Sequence, residues 1–205
     1  MNEKIVVLGI DLAGSPKRNT GICLMHNKKI IKYATVHEDE EIVSFVKEAN
    51  PQIIGIDAPL SLPPGRKTLD DNNGVHLREC DKELTKRKIR FFPVTLGPMR
   101  MLTLRGIYLK KKFKRLGFDS IEIYPGATQD TFGIPRKQHS MEGLINGLAH
   151  LGIKGLHTDM NHDELDAVTG GFTAYLYLKG KADILGSLKT GAIIIPKKSN
   201  LKNKI

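Results

Sequence analysis

The chain has 205 residues, 40% of them apolar and 26% charged, which are ordinary values for a single globular domain with a substantial core. No stretch approaches the roughly 18 consecutive apolar residues of a membrane span. The first residues, MNEKIVVLGID, reach an acidic side chain too early for a secretory signal. We therefore expect a cytoplasmic protein that does not span a membrane and keeps Cys23 and Cys80 as free thiols.

The net charge of +10 is concentrated in one segment. Residues 61–117 contain fifteen Lys or Arg and five Asp or Glu, a difference of +10, whereas the rest of the chain carries seventeen of each sign. Such basic density favours a polyanion, most simply nucleic acid, although a solvated helical face explains the charge equally well. The candidate nucleic-acid contacts are Arg66, Lys67, Arg78, Lys110, Lys111, Lys112, Lys114 and Arg115.

The N-terminal part of the chain predicts three strands, a helix and a fourth strand. Apolar, β-rich runs at 3–12, 21–25 and 30–36 are joined by short loops, which indicates an antiparallel meander. An acidic first turn and an apolar face predict a helix over 38–50, and the apolar run at 52–60 predicts the fourth strand.

Residues 61–117 predict a basic helical insertion within a single domain that spans 1–205. A stretch rich in Pro, Gly, Asn and Asp is followed by predicted helices at 76–88 and 97–117. Leu102, Leu109, Phe113 and Leu116 fall on one side of the second of these helices.

The C-terminal part predicts a fifth strand at 119–126 and helices at 140–152 and 161–180. Asn161 and Glu164 have the spacing of a capping box for the last helix. A short apolar run covers 191–196, and we expect the Lys-rich tail at 196–205 to be frayed or disordered.

Four carboxylates occupy positions that allow them to meet. Asp11 and Asp57 each end an apolar strand, and Asp163 and Asp166 lie one turn apart on the last helix. The helix face that carries this pair continues in small residues, Ala167, Gly170 and Ala174, which would let its backbone approach the sheet closely. Each acid alone also fits an ordinary turn or the favourable first turn of a helix.

A cluster of these acids would require protons or cations. Two carboxylates about 5 Å apart repel by roughly 3 kcal/mol at an effective dielectric of 20, a large cost against ordinary stability. Oxygen ligands without a His or Cys pair favour Mg²⁺ or Mn²⁺. Two such ions, with Asp11 bridging them, suit phosphodiester hydrolysis.

The same residues resemble a known superfamily. The chain resembles the RNase H-like superfamily, with the Holliday-junction resolvases as the nearest well-understood branch. The resemblance rests on GID ending at Asp11 with a loop leading to Thr20 and Gly21, GID ending at Asp57, IEIYPGATQDTFG, and a helix that opens DELDA. The chain more closely resembles the predicted nucleases of domain-of-unknown-function family 429, through the motifs GIDLAG, IDAP, RECD and HDELDA.

The resemblance, which covers about residues 4–178, implies an α/β fold with a central mixed five-stranded sheet, its first three strands antiparallel, and helices on both faces. It implies that Asp11, Asp57, Asp163 and Asp166 bind metal. The resolvase acid on the fourth strand is usually Glu, so Asp57 is shorter. Resolvases also carry a Lys in the helix after the fifth strand, which implies a phosphate contact. In this chain the first basic residues after that strand are Arg136 and Lys137, so the phosphate contact is left unassigned.

Three further side chains have open roles. Glu122 is a candidate auxiliary ligand because of its position on the fifth strand. Arg78 and Asp81 resemble family signature residues, although an ordinary ion pair three residues apart explains them equally well. The resemblance also allows a homodimer, whose interface the insertion would either block or create.

The leading hypothesis is a nuclease dependent on Mg²⁺ or Mn²⁺ that acts on DNA or RNA. One alternative is a nucleic-acid-binding module that keeps the fold without hydrolysis. A second is a nucleotide-binding, ATPase-like protein, because residues 9–21 superficially resemble a phosphate loop. A Ser or Cys hydrolase is disfavoured, since the chain has no GxSxG elbow and Cys23 lies in an apolar strand.

Overall fold

The computed structural model describes residues 4–198, which form seven strands and six helices within that range. The strands are β1 (Val6–Asp11), β2 (Thr20–His26), β3 (Lys29–Val36), β4 (Ile53–Asp57), β5 (Ser120–Ile123), β6 (Ala182–Ser187) and β7 (Gly191–Pro196). The helices are α1 (Asp39–Ala49), α2 (Glu79–Lys86), α3 (Gly97–Arg115), α4 (Pro125–Phe132), α5 (Met141–His150) and α6 (His162–Leu178). Residues 199–205 of the predicted tail lie outside the described residues.

All seven strands join one mixed sheet in the order β3-β2-β1-β4-β5-β7-β6. The first three strands are antiparallel as expected. Strand β1 pairs in parallel with β4, β4 with β5, and β5 with β7. The expected count of five strands is wrong, because β6 and β7 form an antiparallel hairpin that extends the sheet beyond β5. The result is a mixed α/β fold with one larger sheet.

Two apolar cores cover the two faces of the sheet. Alternate strand residues such as Leu8 and Ile10 pack with α1 and with Leu109 and Phe113 of α3. Their neighbours in the strands pack on the other face with α5 and α6. The apolar side of the basic segment is therefore part of the main core, and α3 lies along the sheet.

Helix α6 lies unusually close to β1 and β2. A Cβ atom built on Gly9 would overlap the carbonyl oxygen of Ala167, and one built on Gly21 would overlap that of Asp163. Only glycine leaves room for such a contact with a helix backbone. The small residues of α6 and the glycines of the strands together bring the start of α6 against the ends of β1 and β2, as the sequence predicted. The capping box of Asn161 and Glu164 is also confirmed.

We expect Gly9→Ala to lower the free energy of unfolding by about 2–3 kcal/mol, because the added methyl group would collide with backbone atoms that cannot rotate away. The matched control is Gly97→Ala, where nothing lies within 4 Å of the added Cβ. Urea unfolding of both variants measures the difference. Equal stability of the two variants would contradict the close packing of α6 on β1.

Two further predictions concern the cysteines and the absence of a membrane-spanning helix. Cys23 and Cys80 are both free thiols, as predicted, and both are buried, which the sequence indicated only for Cys23. Burial raises the pKa of the Cys23 thiol, which disfavours a nucleophilic thiolate at this position. Across residues 4–198, none of the helices combines the length and the apolar character needed to cross a membrane.

Candidate active site

The acids predicted from the sequence converge at one edge of the sheet. Asp11 and Asp57 are direct neighbours in the parallel register of β1 and β4, each at the carboxyl end of its strand. The close contact between α6 and Gly21 places the first turns of α6 beside them. Asp163 and Asp166 are 15% and 10% exposed, so this cluster is largely withdrawn from solvent.

A lysine that the sequence did not assign lies among these carboxylates. The Nζ atom of Lys137 is 2.7 Å from Oδ2 of Asp166, and it is 3.9 Å from carboxylate oxygens of both Asp11 and Asp163. Lys137 follows α4 in the chain and reaches the acids from the loop before α5. Its ammonium group therefore occupies the point on which three of the four acids converge.

Helix α4 supplies a second contact to the cluster. Gln129 donates a hydrogen bond of 2.8 Å from Nε2 to Oδ1 of Asp166. The helix itself is fixed to α6 by a 2.8 Å hydrogen bond between the hydroxyl groups of Thr128 and Thr173. The two oxygens of Asp166 are thus oriented by different partners, an amide and an ammonium group.

The packing of these acids changes their protonation. Burial is the main cause that raises the pKa of Asp11 to about 8 from an ordinary value of 3.8, with further contributions from the charges of Asp166 and Asp163. Burial, followed by the charges of Asp11 and Asp166, also raises the pKa of Asp57 well above its ordinary value. Burial alone would lower the pKa of Lys137, but its charge interaction and hydrogen bond with Asp166 raise it.

The donor set fits a hard divalent cation. All four predicted ligands are carboxylates, and three of them already lie within 4 Å of a single positive charge. In the present arrangement no group of three or more His, Cys, Asp or Glu side chains in residues 4–198 is spaced to hold a metal ion. Because Mg²⁺ ligands lie at about 2.1 Å, metal binding requires the carboxylates to close in and Lys137 to withdraw.

Glu122, the candidate auxiliary ligand, is committed to a different network. Its two oxygens accept hydrogen bonds of 2.7 and 2.8 Å from Arg78, and Oε2 also accepts one of 2.8 Å from the backbone N–H of Leu60. Arg78 bonds Asp81 at 2.8 Å as well, and it is only 3% exposed. Burial opposes the charge of Arg78, but Glu122 and Asp81 raise its pKa. We therefore leave Glu122 out of the proposed metal ligands and Arg78 out of the proposed nucleic-acid surface.

Most of the other predicted basic contacts also bind the protein itself. Lys112 pairs with Glu40 at 3.1 Å and Lys114 with Asp119 at 2.7 Å. Lys110 lies 3.5 Å from the carbonyl oxygen of Leu60. Arg66 donates to backbone carbonyl groups of its own loop, including that of Val75 at 2.6 Å. Lys67, Lys111 and Arg115 are exposed, and their role in nucleic-acid binding stays a prediction.

The basic end of α3 lies far from the acids. Leu102, near the start of the helix, lines the same pocket as Asp11, whereas Lys114 pairs with Asp119 just before β5 begins. Asp11 and Asp57 mark the edge of the sheet at which β1 and β4 end, and Asp119 marks the opposite edge, at which β5 begins. Helix α3 therefore runs from the acidic edge, near Leu102, to the opposite edge, near Lys114. About 18 Å of helix separates Leu102 from Lys114.

Other basic side chains lie closer to the acidic edge. Arg18 lines a recess of about 640 Å³ together with Asp11, Asp163 and Lys137. Lys88 and Arg90 line a separate recess next to the pocket that contains Asp57 and Asp166. No sequence pattern distinguished these residues from the other lysines and arginines, because their location depends on how the loops fold.

Comparison with known proteins gives two kinds of similarity. No curated protein matches the chain. Among solved structures, the chain is similar to Thermus thermophilus RuvC in complex with a Holliday junction substrate, with 12% identity, a TM-score of 0.46, and coverage of 86% of this chain and 97% of that one. A second T. thermophilus RuvC structure has 11% identity, a TM-score of 0.47, and coverage of 92% and 99%.

The family comparison covers more than half of the sequence. Residues 9–126 match the model described as protein of unknown function (DUF429). The matched range contains GID at Asp11, GID at Asp57 and the RECD segment, which are motifs on which the resemblance rested. The chain therefore belongs to the DUF429 family.

Proposed function

We propose that this protein is a divalent-metal-dependent nuclease with an RNase H-like fold that hydrolyses phosphodiester bonds of DNA or RNA. The observation that carries the proposal is the convergence of Asp11, Asp163 and Asp166 on one cationic point, with Asp57 beside Asp11 in the register of the sheet. The mixed sheet, with its first three strands antiparallel, also supports it because the superfamily resemblance implies those two features.

The residues of the cluster divide into holding and positioning roles. Asp11, Asp57, Asp163 and Asp166 would hold Mg²⁺ or Mn²⁺, and Gln129 would orient Asp166 through its 2.8 Å hydrogen bond. When bound, two such ions supply an activated water and stabilise the leaving oxygen of the phosphodiester. Lys137 balances the carboxylates in the absence of metal and would be available to contact a phosphate held beside them.

The test is cleavage of a panel of labelled single strands, duplexes and branched junctions, in DNA and RNA, with Mg²⁺, Mn²⁺ or EDTA. We expect cleavage of at least one substrate with a metal and none with EDTA. We also expect added Mn²⁺ to raise the melting temperature, since a ligand that binds the folded state stabilises it. Absence of both cleavage and thermal stabilisation in either metal would contradict the proposal.

One observation favours a second function, a nucleic-acid-binding module without hydrolysis. Lys137 already compensates part of the negative charge of the acidic cluster, so the carboxylates have a cationic partner without a metal ion. This function predicts salt-dependent binding of nucleic acid in EDTA and no cleavage in either metal. A gel shift in EDTA, run beside the cleavage panel, distinguishes the two functions.

A further inference from the structure

A pocket next to the acidic cluster has an aromatic wall that the proposed chemistry does not use. The pocket has a volume of about 350 Å³, and its lining includes the carboxylates of Asp11, Asp57 and Asp166 and the rings of Phe91, Phe92 and Tyr124. This volume lies within the range of ordinary small-molecule sites. The ring side chains and the carboxylates therefore share one concave space.

The three rings are fixed differently. Phe91 packs partly against the core around α2 and β7, whereas Phe92 is 68% exposed. The hydroxyl group of Tyr124 donates a 2.6 Å hydrogen bond to the carbonyl oxygen of Arg90, which ties the segment that carries both phenylalanines to the end of β5. Phe92 is consequently an exposed aromatic side chain on an anchored segment, with its ring accessible to a partner.

Basic side chains border the outer side of the same rings. Phe92 and Tyr124 also line a recess of about 590 Å³ that contains Lys88, Arg90 and Arg136. The guanidinium carbon of Arg136 lies 5.9 Å from the centre of the Tyr124 ring. Phe92 and Tyr124 line both recesses, so these rings adjoin the carboxylates of the first recess and Lys88 and Arg90 of the second. This combination suits the alternating phosphates and bases of a nucleic-acid strand.

We propose that Phe92 stacks on an unpaired nucleobase adjacent to the phosphate held at the acidic cluster, and that the protein therefore prefers single-stranded or locally opened nucleic acid. This inference rests on the proposed function for the position of the phosphate. A base within a duplex is covered on both faces by its neighbours and cannot lay a face on a ring inside a pocket. The Lys88 and Arg90 side chains would then contact the backbone of the following nucleotide.

The test is fluorescence anisotropy in EDTA, using a labelled single strand of about 12 nucleotides as DNA and as RNA, and the same DNA strand in a blunt duplex. We expect the wild type to bind at least one single strand more tightly than the duplex. We expect Phe92→Ala to weaken single-strand binding roughly fivefold to 150-fold without changing duplex binding. Phe92→Trp should retain single-strand affinity because it keeps an aromatic face.

The matched control is Leu188→Ala, which removes another exposed apolar side chain, 55% exposed, at the far side of the sheet. The inference is overturned if Phe92→Ala binds both single strands as tightly as the wild type, or if it loses duplex and single-strand affinity equally. It is also overturned if the wild type binds no single strand. Because metal is absent, these results do not depend on cleavage. Failure of the nuclease proposal would appear as no cleavage in Mn²⁺, and it can therefore be distinguished from failure of the stacking inference.

Discussion

Asp11→Asn is expected to reduce metal-dependent cleavage by more than about 100-fold while the protein stays folded. Asp11 lies at the centre of the cluster, next to Asp57 in the sheet and within 3.9 Å of the ammonium group that Asp163 and Asp166 also contact. Loss of residues that merely orient metal ligands typically costs about 10- to 100-fold, so loss of a direct ligand should exceed that range.

The same substitution is expected to stabilise the protein in EDTA at pH 8. The pKa of Asp11 is about 8 in the folded state against 3.8 ordinarily, mainly because of burial. Between these values the folded state holds a proton that the unfolded state has released, so wild-type stability falls as pH rises from about 4 to about 8. Each such proton contributes a slope of about 1.4 kcal/mol per pH unit. The amide side chain of the Asp11→Asn variant does not titrate in this window, so the variant should lose less stability over it.

Urea unfolding at pH 5.5 and pH 8 in EDTA, together with a cleavage assay in Mn²⁺, measures both effects. Asp119→Asn is the matched control, because Asp119 is 70% exposed and lies before β5, at the opposite edge of the sheet. A folded Asp11→Asn protein that cleaves as fast as the wild type would exclude this cluster as the site of hydrolysis.

Patterns local in sequence predicted much of this fold and the convergence of the acids. The apolar runs identified β1 to β5, and the spacing of Asn161 and Glu164 identified the start of α6. The small-residue face of α6 was sufficient to predict that this helix would approach the sheet, whereas the matching glycines of β1 and β2 emerged from the structure. These features depend on periodicity and residue size, which are properties of short segments.

Features that depend on tertiary contacts were not predictable in the same way. Strand β6 buries only Leu185, so it lacks the alternation that reveals a strand. Helix α4 contains Gly126 and two threonines, which are weak helix formers, and it is held by its contacts with α6. The pairing of Arg78 with Glu122 joins residues 44 positions apart, and nothing in either segment specifies the other.

Lys137 illustrates the same limit at the site itself. It lies in an irregular segment between α4 and α5, beside another basic residue, so its sequence context resembles an exposed loop. The resolvase resemblance implied a lysine after the fifth strand, and the position was left unassigned because α4 itself contains none. Three contacts to acids from two separate elements give Lys137 a role that only the assembled fold defines.

Lys137→Met is therefore expected to destabilise the protein in EDTA at pH 8 by about 3 kcal/mol, since removing one partner of a largely buried ion pair leaves the other charge uncompensated. The side chain is 25% exposed and its closest contact, to Asp166, is 2.7 Å. The raised pKa of Lys137 keeps its charge in place at pH 8. At pH 5.5 the deficit should be smaller, because Asp11, with a pKa of about 8, is then protonated and needs less compensation.

Manganese should have the opposite effect on this variant. In the wild type a metal ion must displace the ammonium group, whereas in Lys137→Met that competition is gone, so Mn²⁺ should bind more tightly and raise the melting temperature further than in the wild type. A tenfold gain in affinity corresponds to about 1.4 kcal/mol of added stabilisation. Lys111→Met, which removes an exposed lysine of α3, is the control and should change neither quantity. An equal Mn²⁺-induced shift in wild type and Lys137→Met would show that the ammonium group and the metal do not share a site.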